Sequence, residues 1–255
     1  MNDIINDNLF DSSECKVSIG PIITEIRDVD DFEQYQPDFN SIPLLPLREV
    51  VLFPGVTTPI AVGREEPLAL VNQAYRNKQT ICTVTQRDSS VEHPTQDDLF
   101  EVGATATILK VLEMPDGTTN VILQVKELIH LDEVVQSEPY LRARVSKIEE
   151  VIPVDSDKEM AAVIIAMKEV FGRMLASFGE QETQEIKFAI KNIENPLFLI
   201  NFICVNSPLD TNIKQALLEE TNLKERAMLL THHLDTACQL MEIKANIQSR
   251  TREDI

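Results

Sequence analysis

The sequence predicts an α+β fold, with a β-rich part over residues 41–153 followed by an all-helical part over residues 154–255. Three observations support this prediction. Short β-branched runs interrupted by Pro and Gly extend from residue 42 to residue 152, as is typical of strands. After the segment "IPVDSDKE", apolar residues recur at helical spacing. From residue 222 onward there is no Pro or Gly, which predicts one long final helix.

Residues 1–40 precede the predicted fold and form an acidic arm. They contain ten Asp or Glu residues against two basic residues, a net charge of −8. Because few apolar residues recur there at a regular period, we expect a disordered or loosely attached segment. A solvated tail and an interaction arm both fit this composition.

The β-rich part opens with "SIPLLPLREVVLFPGVTTPIAVGRE", residues 41–65. Its prolines remove amide donors and restrict φ, which favours short edge strands and turns, and its glycines supply bends. The segment is therefore expected to be a scaffold element. Arg48 and Glu49 are expected to face solvent. The residues expected to enter the barrel core are Leu45, Leu47, Val51 and Phe53.

Further strands are predicted at residues 57–62, 80–85 and 141–149, with one helix between the first two. That helix carries Leu68, Val71 and Tyr75 at spacings of three and four. The segment "TATILKVLEMPDGTTNVILQV" predicts a hairpin that turns at Pro115-Asp116-Gly117. Its first strand has apolar residues on both faces, which indicates a small closed or half-closed barrel. These residues are Ile108 and Leu112 on one face, and Leu109 and Val111 on the other.

Start and stop signals divide the helical part. Ser156 and Glu159 have capping-box spacing, and Gly179 is expected to end the first helix. Shorter helices are predicted over residues 182–193, from Asn195-Pro196, and from the segment beginning at Ser207. The final helix has no stop signal in "IQSRTREDI", so we expect it to continue into a longer helix. Its apolar stripe comprises Leu223, Ala227, Leu230, Leu234, Ala237 and Met241.

The composition excludes several classes of protein. The formal charge of −19 disfavours binding to phosphate backbones, so a nucleic-acid partner is not expected. No signal peptide is recognisable, and the longest apolar run, residues 160–167, is too short to span a bilayer. We therefore expect a cytoplasmic protein with no membrane partner. The four cysteines are far apart and form no C-x-x-C, so reduced thiols are expected.

No sequence motif predicts catalytic activity or metal binding. The phosphate-binding loop, the G-x-S-x-G motif and the H-E-x-x-H motif are all absent. His232 and His233 are neighbours that diverge by about 100° on a helix, so they do not suit one metal ion. Neighbouring acidic pairs such as Glu65-Glu66 are read as solvated faces. The sequence therefore predicts no catalytic, cofactor-binding or metal-ligating residue. It indicates a protein that binds a partner.

Three segments resemble the amino-terminal domain of Lon, the ATP-dependent protease. "PLLPLREVVLFPGVTTPIAVGRE" is similar to the family's "LPLLPLRD-V-VFPG" pattern followed by "P-x-x-VGR" and a helix. The similarity continues through "VTQRDSSVEHPTQDDLFEVGATATILKV" and the hairpin, and again at "LLEETNLKERAMLLTHHL". One departure is that Lys126 and Glu127 stand where the family has a "V-x-G-x-x-R" segment. Because a position that suits glycine may not accept these side chains, the loop geometry here is expected to differ from that of the family.

The resemblance implies a PUA-like pseudo-barrel, a helical subdomain, and a long helix that leads into ATPase and protease modules absent from this chain. The whole enzyme would be a homohexamer that uses ATP and Mg²⁺ and cleaves with a serine-lysine dyad. This chain itself would hold no cofactor. It would recognise unfolded or degron-bearing proteins and support assembly, in quality control and the stress response.

A substrate-recognition domain is expected to present a modest apolar patch. The methionine-rich face of the first helix suits either a core or a recognition stripe. The candidate substrate contacts are Phe53, Met114, Met167, Phe171 and Met174.

Two alternatives stay open at the sequence level. One is a free-standing adaptor of the same domain family that binds a peptide or small ligand, although the chain has no Trp and only three Tyr for an aromatic cage. The other is a small hydrolase with an unrecognised site.

Overall fold

The computed structural model describes residues 37–253 except Asp116, Asp155 and Gly179. The strands are β1 (Ile42–Leu47), β2 (Thr57–Val62), β3 (Ile81–Thr85), β4 (Val102–Glu113), β5 (Thr119–Gln136) and β6 (Arg142–Lys147). The helices are α1 (Glu65–Arg76), α2 (Lys158–Ala176), α3 (Glu180–Asn192), α4 (Pro196–Asn206), α5 (Thr211–Glu219) and α6 (Leu223–Glu253). The α+β prediction is therefore confirmed. The acidic arm lies outside the described residues, apart from its last four positions.

The six strands form one sheet that closes on itself. Their order is β2-β5-β4-β3-β1-β6, and β6 also pairs with β5. Five strands therefore make a closed ring, and β2 is attached outside it along the first half of β5. The β1 and β3 pair is parallel, with α1 in the connection between them, and the other pairs are antiparallel. This ring is the barrel that the two-sided apolar pattern of the first hairpin strand predicted.

Two glycines are required by the barrel geometry. A Cβ on Gly103 would lie 2.1 Å from the carbonyl oxygen of Thr83, because β3 and β4 approach closely at that point. Gly117 has φ +86°, and its N–H donates to the carbonyl oxygen of Met114 (3.0 Å) in the predicted hairpin turn. Leu112, near the end of β4, is exposed, so the two-sided burial predicted for this strand stops before the turn.

The departure from the family pattern on β5 forms a β-bulge. Ala104 pairs with Leu128 and Ala106 pairs with Val125, so two residues of β5 face one residue of β4. The N–H of Glu127 donates to the Thr105 hydroxyl oxygen (3.1 Å). Neither residue of the bulge has a positive φ, so side chains are accepted there without a glycine.

The structure corrects several helix boundaries and faces. Asp157, not Ser156, caps α2, because its carboxylate accepts the N–H groups of Glu159 and Met160. The helix ends at Ala176, before Gly179. α5 is preceded by Asp210, and the predicted start at Ser207 is wrong because the Ser207 hydroxyl donates to the carbonyl oxygen of Cys204 at the end of α4.

Other local predictions are confirmed or refined. Asn195 caps α4 by accepting the N–H of Phe198 (3.0 Å). The long helix α6 is present, and Leu223, Ala227, Leu230 and Leu234 are buried along it. On α1 the exposed Tyr75 does not join the buried face, which comprises Pro67, Leu70, Val71 and Ala74.

The helices pack directly against the barrel. Val51 and Phe53, predicted to enter the barrel core, instead lie in the apolar cluster formed by the helices, together with Leu128 of β5. These three residues thus complete the core of the helices, while the strands contribute most of two further apolar clusters. The boundary predicted at residue 153 stays a prediction. Leu45 and Leu47 are buried in an apolar cluster formed by strands and α1, and Arg48 and Glu49 are exposed.

A buried polar network joins the two parts. Arg226 of α6 has no accessible surface, and its Nη1 lies 2.8 Å from a carboxylate oxygen of Glu150. The same Nη1 donates to Asn201 Oδ1 (3.0 Å), and Asn201 Nδ2 donates to the carbonyl oxygen of Pro54 (2.9 Å). Arg226 Nε donates to the carbonyl oxygen of Glu220 (2.9 Å). The chain leaving the barrel is therefore held against α4 and α6.

Among the described residues, no helix has the length and apolar content needed to cross a bilayer.

Candidate functional site

A groove of about 660 Å³ lies beside the N-terminus of α1. We call it the acidic groove. Four separate segments line it: β1, the start of α1, the loop at residues 92–95 and the loop at residues 137–141. The lining residues are Leu44, Pro46, Gly63, Arg64, Glu65, Glu66, Pro67, Leu70, Glu92, His93, Pro94, Thr95, Ser137, Glu138, Tyr140 and Leu141.

The floor of the acidic groove is apolar. Leu44, Leu70 and Tyr140 are almost completely buried beneath it, and Leu141 is half-buried. Three prolines also contribute to the walls. An apolar floor of this kind favours apolar side chains of a ligand, because burying them removes their surface from water.

The rim of the acidic groove carries four exposed carboxylates, from Glu65, Glu66, Glu92 and Glu138. His93 Nδ1 lies 3.2 Å from Glu66 Oε1. Among the residues whose side chains the structure describes, no cationic group forms an ion pair of 4.0 Å or less with the other three carboxylates. The rim is therefore negative and hydrated, unlike the floor.

Arg64 is the one arginine that lines the described groove. Its guanidinium holds the segment after β3, residues 86–98, which we call the rim loop. Nη1 donates to the carbonyl oxygen of Glu92, and Nη2 donates to Gln86 Oε1 (3.2 Å). Desolvation lowers the pKa of Arg64, and the nearby Arg48 lowers it further, while Glu66 and Glu92 act in the opposite direction. Since arginine stays charged far above neutral pH, Arg64 offsets part of the rim charge but not most of it.

The rim loop is preorganised by its own hydrogen bonds. Gln86 Nε2 donates to the carbonyl oxygen of Val91 (2.9 Å). The Ser90 hydroxyl and the Ser90 N–H both donate to Asp88, which lowers the pKa of that carboxyl. Asp98 accepts the N–H and the hydroxyl of Thr95, and these bonds lower its pKa too. A loop fixed in this way loses little conformational entropy when a ligand binds.

A second depression of about 410 Å³ lies between the N-terminal ends of α2 and α4. We call it the linker cleft, because the chain that leaves the barrel forms one wall. Its lining is mainly apolar and includes Met160, Ile164 and Leu197. Two further lining residues, Ile152 and Val154, are strongly exposed, Val154 by 72%. The linker cleft therefore combines an apolar lining with apolar side chains that are open to solvent.

The structure places the predicted contact residues mostly in the core. Phe53, Met167, Phe171 and Met174 are completely buried in the cluster formed by the helices. They fill that cluster and have no surface to offer a polypeptide while the domain is folded, which corrects their assignment as contacts. Met114, at the tip of the hairpin, is 40% exposed and stays a candidate, although it lines neither depression.

One group of side chains, His130, Asp132 and Ser146, contains the residue types of a hydrolytic triad but does not have its geometry. His130 Nδ1 lies 3.0 Å from Asp132 Oδ1, and the Ser146 hydroxyl donates to the same oxygen (3.0 Å). The serine therefore faces the carboxylate rather than the imidazole, whereas a nucleophile needs the base beside it. No group of three His, Cys, Asp or Glu in the described part of the chain could hold a metal ion.

Solved structures identify the fold. The N-terminal domain of a Mycobacterium avium complex Lon protease has a TM-score of 0.62 at 22% identity, covering 76% of this chain and 98% of that one. A Lon N-terminal domain protein from Xanthomonas campestris has a TM-score of 0.54 at 19% identity, covering 75% of this chain and 96% of that one. The structure thus has the fold of the amino-terminal domains of Lon proteases.

The sequence comparisons go further than the fold. The family model of the ATP-dependent protease La (LON) substrate-binding domain matches residues 41–236, and the chain belongs to this family. It is 40% identical over 250 residues to the Lon protease of Parabacteroides distasonis, covering 97% of this chain and 30% of that protein. It is 41% identical over 215 residues to the Lon protease of Flavobacterium johnsoniae, covering 84% of this chain and 26% of that protein. The chain spans less than a third of the length of these relatives.

The sequence did not reveal either depression. Glu65 and Glu66 were noted as a solvated acidic pair, which is correct for each side chain alone. They line one groove with Glu92 and Glu138 only because the barrel brings together segments that are more than twenty residues apart in sequence. The exposed apolar residues of the linker cleft follow the last strand, where nothing in the local pattern separates them from strand residues.

Proposed function

We propose that this chain is the substrate-recognition and assembly domain of an ATP-dependent protease that degrades misfolded and regulatory proteins. The observation that carries the proposal is the match of the substrate-binding family model across residues 41–236. Relatives that share 40% identity with the chain are Lon proteases. The chain thus corresponds to the substrate-binding part of such an enzyme.

The surface of the domain supports this role. Unfolded polypeptides expose apolar side chains together with their backbone, and the acidic groove and the linker cleft each combine apolar lining with a polar margin. Each depression is small, so one domain binds weakly. Presentation of several copies in one assembly would raise the apparent affinity through avidity.

The chemical steps would belong to other parts of the protein. ATP and Mg²⁺ would bind an ATPase module, and a serine-lysine dyad in a protease module would cleave the substrate. In this proposal the chain itself binds neither ATP nor Mg²⁺, and its glycines form no G-x-x-x-x-G-K-[ST] motif. In this proposal the whole protein is a cytoplasmic homohexamer.

A titration with one protein in two states tests the proposal. Fluorescent α-lactalbumin is prepared in its native form and in a reduced, carboxymethylated form that stays unfolded. The 255-residue chain, presented as a six-copy fusion, is titrated against each form by fluorescence anisotropy. We expect the unfolded form to bind at least about ten-fold more tightly.

A matched pair of variants locates the interaction. Val154→Asp places a charge in the exposed apolar lining of the linker cleft and is expected to weaken binding of the unfolded form. Val135→Asp changes an exposed valine at the far end of β5 and serves as the control. Equal binding to the native and unfolded forms, or no binding to either, would contradict the proposed function.

A further inference from the structure

We propose that the acidic groove selects polypeptide segments in which a lysine or arginine is adjacent to a bulky apolar residue. This inference rests on the proposed function and specifies which segments the domain prefers. It depends on the size of the groove, on the division between floor and rim, and on the sign of the rim charge.

The size of the groove suits a short stretch of chain. Its volume of about 660 Å³ lies within the range of about 300–1,000 Å³ typical of ligand pockets. A single bulky side chain would leave much of that volume empty. An extended segment can place one apolar side chain on the floor and direct its neighbours toward the rim, since successive side chains of an extended chain point to opposite sides.

The floor fixes the position of the apolar side chain. Its accessible apolar lining includes the half-buried Pro46 and Leu141. Leu44, Leu70 and Tyr140 lie beneath this lining. All three are held by the packed barrel and are nearly completely buried. The floor is therefore a fixed surface rather than one that must form when a ligand arrives.

The rim determines the charge of the ligand. Four carboxylates face one guanidinium, which is engaged with the rim loop, and one imidazole, which lies against Glu66. The positive end of the α1 dipole also lies here, but Glu65 and Glu66 in the first turn offset it. The remaining potential is negative, and the net charge of −19 strengthens it at long range. Cationic segments are therefore attracted, and anionic segments are repelled.

The same electrostatics disfavour other occupants. Residues 1–40 of the chain carry a net charge of −8, so they would be repelled by the rim rather than fill the groove. Nucleic acids are repelled for the same reason. A polypeptide with basic and apolar side chains combines the two properties that the groove complements.

Three labelled peptides test the inference. They share one length and one pattern of Leu and Phe, and they carry Lys, Gln or Glu at the same alternate positions. Anisotropy titrations with the 255-residue chain are expected to rank them Lys, then Gln, then Glu in affinity. The advantage of the Lys peptide over the Gln peptide is expected to shrink when ionic strength rises from about 0.05 M to about 0.5 M, because the rim is exposed and screened by salt.

Two variants of equal charge change assign the effect to the groove. Glu92→Lys with Glu138→Lys reverses two rim charges, and is expected to weaken the Lys peptide by about ten-fold. Glu169→Lys with Glu185→Lys reverses two exposed charges on α2 and α3, and is expected to change affinity by less than about two-fold. Should the lysine rim variant fold poorly by circular dichroism, Glu92→Gln with Glu138→Gln gives the same test at half the charge change.

The outcomes separate this inference from the proposed function. Equal affinity for all three peptides, or an equal loss in the rim and control variants, overturns the preference for cationic segments and leaves the recognition of unfolded chains in place. Failure of all three peptides and of unfolded α-lactalbumin to bind overturns both. A Lys preference that is lost only in the rim variant supports both.

Discussion

Replacement of Arg226 by Met tests whether the buried polar network joins the barrel to the helices. The guanidinium has no accessible surface and makes three polar contacts, to Glu150, Asn201 and the carbonyl oxygen of Glu220. Arg226→Met keeps most of the apolar stem, but it leaves the largely buried Glu150 carboxylate without its counter-ion. It also leaves Asn201 Oδ1 and the carbonyl oxygen of Glu220 without their donor. Breaking a buried ion pair in this way costs about 3–5 kcal/mol.

The cost is measurable in solution. For a domain of this size, about 1 kcal/mol of destabilisation lowers Tm by about 2–4 °C, so Tm is expected to fall by roughly 6–20 °C. Urea unfolding followed by circular dichroism gives the change in the free energy of unfolding. The control is Arg144→Met, which breaks an exposed pair with Glu133 at 2.6 Å and is expected to cost less than about 1 kcal/mol.

A double variant separates the network from simple loss of packing. With Glu150→Leu added, the carboxylate that Arg226→Met strands is also removed, so the double variant is expected to be more stable than Arg226→Met alone. If Arg226→Met costs no more than Arg144→Met, or if the double variant is the less stable of the two, the argument for the network is wrong.

Three further predictions follow from local geometry. Gly103→Ala is expected to destabilise the barrel by about 2–3 kcal/mol because its Cβ would meet β3. Gly172→Ala on α2 has open space around the new Cβ and is expected to raise the free energy of unfolding by about 0.5–1 kcal/mol. Urea unfolding of both variants measures these changes, and equal effects would contradict the prediction. Asp157→Ala removes the α2 cap, and the hydrogen bond from the Met160 N–H is the main reason that the pKa of Asp157 is lowered. The difference in Tm between the wild type and Asp157→Ala, measured by calorimetry, is expected to have its full value above about pH 4 and to disappear as the pH falls through the lowered pKa. A difference in Tm that is constant with pH would refute the role of Asp157 as the cap. Burial raises the pKa of Cys204 to about 12, so iodoacetamide at about pH 8 is expected to modify this thiol only after denaturation. Mass spectrometry identifies the modified residue, and rapid labelling of Cys204 in the native chain would contradict its burial.

The sequence predicted those elements whose signals are local. The hairpin turn at Gly117 was recognisable because proline and glycine determine the turn within a few residues. The long helix α6 was recognisable because its apolar residues keep one period over many turns. Caps were less certain, since Ser156 and Asp157 are adjacent and both residue types cap helices. Only the backbone shows that Asp157 accepts the N–H groups.

Features that depend on long-range packing could not be predicted. Phe53 was expected in the barrel because it follows a strand, but the loop after β1 turns toward the helices. Arg226 lies outside the apolar stripe predicted for α6, and nothing near it in sequence indicates that Glu150 and Asn201 contact it. The acidic groove has the same origin, because its four carboxylates come from three separate segments.

The central claim is that this domain holds unfolded, positively charged segments in the acidic groove. Hydrogen–deuterium exchange of the 255-residue chain, with and without the Lys peptide at saturation, measures this directly. Slower exchange is expected in residues 63–70, 91–95 and 137–141 with the Lys peptide, and no such change is expected with the Glu peptide. Protection confined to other segments, or the same protection with both peptides, would contradict it.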